Sequence, residues 1–147
     1  MEDFSNIINW DSVDNQSNSF KNQTPFRFAF IEDFFEREFY EKLFETYPKI
    51  DETWTLGETS TKTQFIKFWN GLGPNDVVVH DDDPQYSEEW NKFKRYVQSE
   101  EFVEKIRKFS GVPVNKLKFF QFMSYTKGGF QEPHIHNVGP STLIFMV

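Results

Sequence analysis

Apolar positions along the chain follow two rhythms, and the switches between them mark the expected elements. Phe26, Phe28 and Phe30 alternate with Arg27 and Ala29, which predicts a half-buried first strand. From residue 34 the spacing becomes helical: Phe35, Phe39, Leu43, Phe44 and Tyr47 recur until Pro48 stops them, predicting a helix over about 34–47. Asp33 with Glu36 three residues later reads as its capping box. Residues 55–63 are polar and loop-like, Gln64-Phe-Ile-Lys-Phe-Trp69 offers a short strand, and Asn70-Gly-Leu-Gly-Pro74 breaks it. Trp90, Phe93 and Val97, then Phe102, Val103, Ile106 and Phe109, predict helix over about 88–109. Ser99 before Glu100-Glu101 can cap a fresh helix, so one bent helix and two consecutive ones fit equally. Gly111 and Pro113 close the region. Residues 116–125 alternate with apolar side chains on both faces, as a central strand does, and Thr142-Leu-Ile-Phe-Met-Val147 repeats that character.

Before Phe26 the rhythm is lost. Residues 5–23 are rich in Asn, Ser, Gln and Asp with scattered Ile7, Ile8, Trp10 and Phe20, the composition of a loosely ordered arm or a covering segment. The expected organisation is therefore an N-terminal arm over 1–24 and one α+β domain over 25–147, a length that supports a single core. The 19 phenylalanines fall mostly at the inward positions of these elements, which reads as core packing rather than as stacking platforms for bases or sugars.

Charge and composition narrow the partners. Lys and Arg number 16 against 23 Asp and Glu, a net charge of −7, which disfavours a nucleic-acid backbone or an anionic membrane surface. No apolar run is long enough to span a bilayer or act as a secretory leader, so a soluble cytoplasmic protein is expected. With no cysteine, disulfides and thiolate chemistry are excluded, and any metal must be held by His, Asp or Glu.

Two of the three histidines, His134 and His136, stand one residue apart after a glycine turn. On a strand that spacing puts both imidazoles on one side, the arrangement of half a metal site. The plainer alternative is a strand entry whose imidazoles satisfy neighbouring carbonyls. Tyr125-x-x-Gly128-x-x-x-Glu132-Pro133-His134-x-x-Asn137, entered from an aromatic strand, resembles the first active-site strand of prolyl-4-hydroxylase-like dioxygenases, members of the iron(II) and 2-oxoglutarate family. The resemblance extends loosely along the chain, with helical regions ahead of the strands. It implies helices packed on a double-stranded β-helix (jelly roll), here incomplete, and Fe(II) with 2-oxoglutarate as cosubstrate. The expected activity is hydroxylation of a peptide or small-molecule substrate. By the same resemblance His134 is the first metal ligand, His136 takes the second ligand position, and Tyr125 bonds the 2-oxoglutarate carboxylate. Lys127 and Asn137 are close enough in sequence to line the site. No catalytic acid or base is assigned.

The chain departs from the family pattern at two points. His136 stands where the family carries Asp or Glu, replacing a negative ligand with a neutral one. No histidine follows His136 and no arginine follows Arg107, so the family's distal His and basic anchor are missing and a truncated domain of weak or no activity is expected. The strand over 143–147 would then expose an edge able to pair with a second copy. A triad of His80, Asp82 and His134 is a second placement, although Asp81-Asp82-Asp83-Pro84 also reads as an acidic loop before a helix. Gly128, His134 and His136 also match the opening of the cupin metal motif, whose following Glu is replaced by Pro140 and Ser141. A catalytically dead domain kept for folding or assembly is the non-enzyme alternative.

Overall fold

The computed structural model describes residues 2–134, 139 and 142–147. They form a mixed α+β chain in two units, one made of residues 1–46, 85–116 and 138–147, the other of residues 47–84 and 117–137. The first unit carries the helices and the second a small antiparallel sheet.

In the helical unit the order is α1 (Trp10–Asn15), α2 (Ser17–Asn22), α3 (Arg37–Glu45), α4 (Glu88–Val97) and α5 (Glu100–Ser110). The predicted region 88–109 is thus two helices. Gln98 closes α4, and the Ser99 hydroxyl accepts the Phe102 amide at 3.2 Å, starting α5 one residue later. The Ser87 hydroxyl caps α4 in the same way, and Gly111 ends α5 at φ 68°, a left-handed position that glycine takes without strain. Trp90, Phe93 and Val97 on α4, with Phe102, Val103, Ile106 and Phe109 on α5, are buried as their spacing predicts.

The polar N-terminal segment is a covering one. Ile7, Ile8, Val13 and Phe20 are buried, the Phe20 and Phe109 rings lie 5.0 Å apart, and the Ser17 hydroxyl donates to the Phe109 carbonyl at 2.7 Å. Apolar residues too sparse for a sequence rhythm still reach the core because two short helices carry Val13 and Phe20, α2 packing on α5, while backbone pairing with residues 34–36 holds Ile7 and Ile8.

The same segment delays α3. Asn9 N–H donates to the Phe34 carbonyl and Glu36 N–H to the Ile7 carbonyl, so residues 34–36 are held extended beside Ile8 and the helix starts at Arg37, not at 34. The expected Asp33–Glu36 capping box does not form. Asp33 sits at φ 51° and Glu36 makes no side-chain cap. The strand predicted at Phe26, Phe28 and Phe30 is also absent, and all three rings are exposed. Alternation assigns side chains to faces, but a strand also needs a ladder partner for its backbone, and among the described residues none pairs with this segment. For the same reason residues 142–147 form no ladder among the described residues, although Phe145 lies near Phe102 with ring centroids 6.2 Å apart. The phenylalanines consequently divide. Phe39, Phe93, Phe102 and Phe109 pack inside, while Phe44, Phe68, Phe119 and Phe130 join Phe26, Phe28 and Phe30 at the surface.

In the sheet unit, β1 (Thr55–Thr59) and β2 (Lys62–Phe68) form a hairpin closed by residues 60–61, with Thr59 opposite Lys62. The polar stretch expected as a loop is therefore a strand, because an edge strand draws its stability from the neighbouring backbone rather than from an apolar face. On its other edge β2 pairs with β3 (Gln121–Ser124) and, beyond an interruption, with the short β4 (Phe130–Gln131). The predicted strand over 116–125 narrows to the four residues that face β2. Trp69, Phe120 and Phe122 pack together at the end of β2, where Trp69 N–H donates to the Phe120 carbonyl at 3.0 Å and Phe120 N–H to the Leu72 carbonyl at 3.0 Å. Tyr47 donates its hydroxyl to the Met123 carbonyl at 2.8 Å, and burial pushes its phenol above the ordinary range. Among the described residues no helix is long and apolar enough to cross a membrane.

One polar contact dominates the helical core. Trp10 Nε1 donates to the Tyr96 hydroxyl at 2.8 Å, and Tyr96 is only 1% exposed between Phe4 and Phe102. Burial, with Glu101 nearby, pushes the Tyr96 phenol from its ordinary 10 up to about 12. The folded state therefore keeps this proton where the unfolded chain releases it, so the contribution is intact below pH 10 and is lost as pH rises toward about 12. Tyr96→Phe should cost roughly 1–3 kcal/mol at neutral pH, since it leaves the Trp10 donor unpaired. The gap between wild type and variant in urea unfolding should narrow across that alkaline window, and a gap that stays constant would contradict this account.

Candidate functional site

The site arises from a mismatch in the sheet. Phe65 pairs with Ser124 and Thr63 with Phe130, so residues 125–129 all lie opposite the single β2 residue Gln64. Such an excursion from a ladder re-aims the side chains at its ends. Two glycines make it possible. Gly128, at φ 85°, takes a left-handed turn position, and Gly129 N–H donates to the Thr126 carbonyl at 2.7 Å to close the turn. Gly129 is also held by space. A Cβ there would lie 2.9 Å from the Thr126 carbonyl oxygen and 3.0 Å from that of Thr63, both backbone atoms unable to give way. The chain then rejoins β2, and Glu132 N–H donates to the Thr61 carbonyl at 2.8 Å.

The side chains at the two ends of the excursion meet over Gln64, which is 3% exposed. The Tyr125 hydroxyl lies 2.9 Å from Gln64 Oε1 and 3.0 Å from Gln131 Oε1. The Gln131 amide nitrogen in turn lies 3.4 Å from His134 Nε2, and His134 Nδ1 is 3.0 Å from the Glu132 carbonyl oxygen. Hydrogen-bond accounting orients this chain of groups. A carbonyl oxygen only accepts, so His134 Nδ1 carries a proton, and in the neutral ring Nε2 is then the acceptor. The Gln131 amide N–H donates to that acceptor, which turns its oxygen toward Tyr125. The single phenol hydrogen thus faces two amide oxygens, that of Gln131 and the nearer one of Gln64. A buried strand glutamine is thus connected through Tyr125 and Gln131 to one defined nitrogen of His134.

Of the residues singled out from sequence, Tyr125 and His134 are brought into one network, joined through Gln131. His136 and Asn137 lie outside the described residues, as do Pro140 and Ser141. Lys127 occupies an exposed position in the turn between Thr126 and Gly129. His80, Asp81 and Asp82 lie in an exposed stretch that is neither helix nor strand, and no three His, Asp or Glu side chains gather to metal-binding distance among the described residues. The alternative triad of His80, Asp82 and His134 is therefore not assembled. Gln64 and Gln131 were not legible as site residues. Gln64 is a polar residue followed by Phe65 and Ile66 on a strand, a pattern that gives no partner for its amide.

No protein-family model, no curated protein and no solved structure matches this chain. The geometry itself yields a test. Gly129→Ala should destabilise the sheet unit by about 1–3 kcal/mol through overpacking against two backbone oxygens. Lys127→Ala, in the same turn, should be near neutral. Urea midpoints that rank the two the other way would show that the excursion is not held by the close approach at Gly129.

Proposed function

We propose that this chain is a domain of the iron(II) and 2-oxoglutarate dioxygenase type, its sheet belonging to a jelly-roll arrangement, with His134 as a metal ligand. The observation that carries the reading is the 3.0 Å contact between His134 Nδ1 and the Glu132 carbonyl oxygen. An imidazole whose Nδ1–H is tied to a carbonyl and whose Nε2 carries the lone pair is oriented as metal-ligating histidines are. The donor chemistry of the neighbouring groups fits the rest of the reading. Tyr125, linked through Gln131 to the same histidine, offers a phenol hydrogen to an anionic oxygen such as a 2-oxoglutarate carboxylate.

His134 and His136 would hold the metal. Bound there, Fe(II) would supply the coupling of 2-oxoglutarate decarboxylation to hydroxylation of a peptide or small-molecule C–H bond. The work of the chain's own residues is positional. The Glu132 carbonyl sets the histidine tautomer, the turn at Gly128 and Gly129 brings Tyr125 to the same side, and Gln64 holds the phenol from β2. His136 contributes a neutral ligand in place of a carboxylate, so the site binds divalent metal more weakly than a His-carboxylate pair does, and turnover by this chain is correspondingly low.

Calorimetric titration with Mn(II) tests the ligand assignment. His134→Ala should weaken binding at least about tenfold, and His136→Asp should tighten it by restoring a negative ligand. Equal Mn(II) affinity in wild type and His134→Ala would overturn the reading. Succinate release from 2-oxoglutarate should be slight in wild type and higher in His136→Asp.

A further inference from the structure

A cavity of about 580 Å³ opens between the N-terminal segment, α4 and α5, and every residue that lines it belongs to the helical unit. That volume suits a small organic molecule. Trp10, Phe4 and Tyr96 supply the aromatic part of the lining, and the indole is held in place, since Nε1 donates to the Tyr96 hydroxyl at 2.8 Å and the ring lies 6.0 Å from that of Phe102. The charged part is one-sided. Five carboxylates, those of Glu2, Asp3, Asp11, Glu36 and Glu101, line the cavity with a single cation, Lys105.

Charge alone would not make this a site. What marks it is where the one cation sits: Lys105 Nζ lies 4.7 Å from the Trp10 ring centroid, within the range of a cation–π contact. Among the described residues Lys105 makes no ion pair with any of the five carboxylates, so an ammonium with acids around it has settled on the indole instead. The ring is a cation seat. Three of the carboxylates are engaged elsewhere, Glu2 with Arg95 at 2.7 Å, Asp3 with the Ser5 N–H at 2.9 Å, and Glu101 with the Tyr96 hydroxyl at 3.4 Å. Those of Asp11 and Glu36 make no hydrogen bond or ion pair among the described residues.

We propose that this cavity binds a linear polyamine, a small molecule with ammonium groups spaced along an alkyl chain. One ammonium takes the place of Lys105 on Trp10, the methylenes lie along Trp10 and Phe4, and the remaining charge meets Asp11 and Glu36. Lys105 is thus a built-in occupant that the ligand displaces. A metal ion is the poorer match, because no three His, Asp or Glu side chains gather to metal-binding distance among the described residues. Charges spread along a chain reach separated carboxylates that a point charge cannot. The proposal is independent of the metal reading, since His134 belongs to the sheet unit.

Spermidine is the probe, titrated into the full chain at constant ionic strength by calorimetry, with the Trp10 indole N–H signal followed by NMR. Binding should move that signal. The double variant Asp11→Asn with Glu36→Gln changes two exposed side chains and should weaken binding about fivefold, the combined worth of two exposed ion pairs. Lys105→Met keeps the apolar stem and removes the competing charge, so it should tighten binding roughly threefold. A Lys105 that only braces the fold predicts the opposite, unchanged or weaker binding. Mg(II) at the same ionic strength should neither move the Trp10 signal nor displace spermidine. A Trp10 signal indifferent to spermidine, equal affinity in wild type and the double variant, or no tightening in Lys105→Met overturns the proposal. Displacement of spermidine by Mg(II) overturns it as well, by reducing the cavity to a diffuse negative surface.

Discussion

β2 is the strand on which the sheet unit depends, because among the described residues it alone has ladder partners along both edges. One edge is committed to β1 by a hairpin. The other must accommodate a segment that is longer than the stretch it faces, since 125–129 have to be fitted opposite Gln64. Backbone groups that leave a ladder need other partners, and here the turn between Thr126 and Gly129 provides one. The product of the excursion is a pair of side chains, Tyr125 and Gln131, that meet each other, with Tyr125 also resting on the buried Gln64 amide.

That convergence explains why the polar network is specific and not merely a surface tangle. Gln64 is buried on β2, so its amide needs hydrogen bonding, and the phenol supplies it. The Glu132 carbonyl places a proton on His134 Nδ1, and the acceptor left at Nε2 faces the Gln131 amide nitrogen and turns that amide's oxygen toward the phenol. Each step removes a choice from the following one. A surface histidine with no such chain behind it would rotate and exchange tautomers freely. The proposed metal chemistry draws on this loss of freedom.

The helical unit reaches its order by a different route. α4 and α5 have strong amphipathic faces, serine caps and a glycine stop, so local chemistry and burial agree. The segment before α3 shows the opposite case. Its backbone hydrogen bonds to Ile7 and Asn9 hold residues 34–36 extended, overriding a plausible local capping box. Long-range backbone pairing won over a side-chain cap because each extended residue gains a partner it would otherwise lack, whereas a helix can begin three residues later at little loss.

What the amino-acid sequence determined by itself was the set of elements whose cause is local: helix over about 88–109 that Ser99 can restart, a helix ending before Pro48, a strand over 64–69, and the glycine turn that leads to His134. Tyr125 and His134 were legible as site residues because their spacing and residue types resemble a known motif. Only the tertiary structure decided the rest. Among the described residues the alternating Phe26, Phe28 and Phe30 find no ladder partner and remain outside a sheet, while the polar Thr55–Thr59 finds one and becomes a strand. Gln64 and Gln131 became site residues only when the β2 register set them on either side of one phenol. The physical reason is common to all of these: periodicity states which way a side chain faces, but hydrogen-bond partners of backbone and amide groups come from segments far apart in the chain, and only folding chooses them.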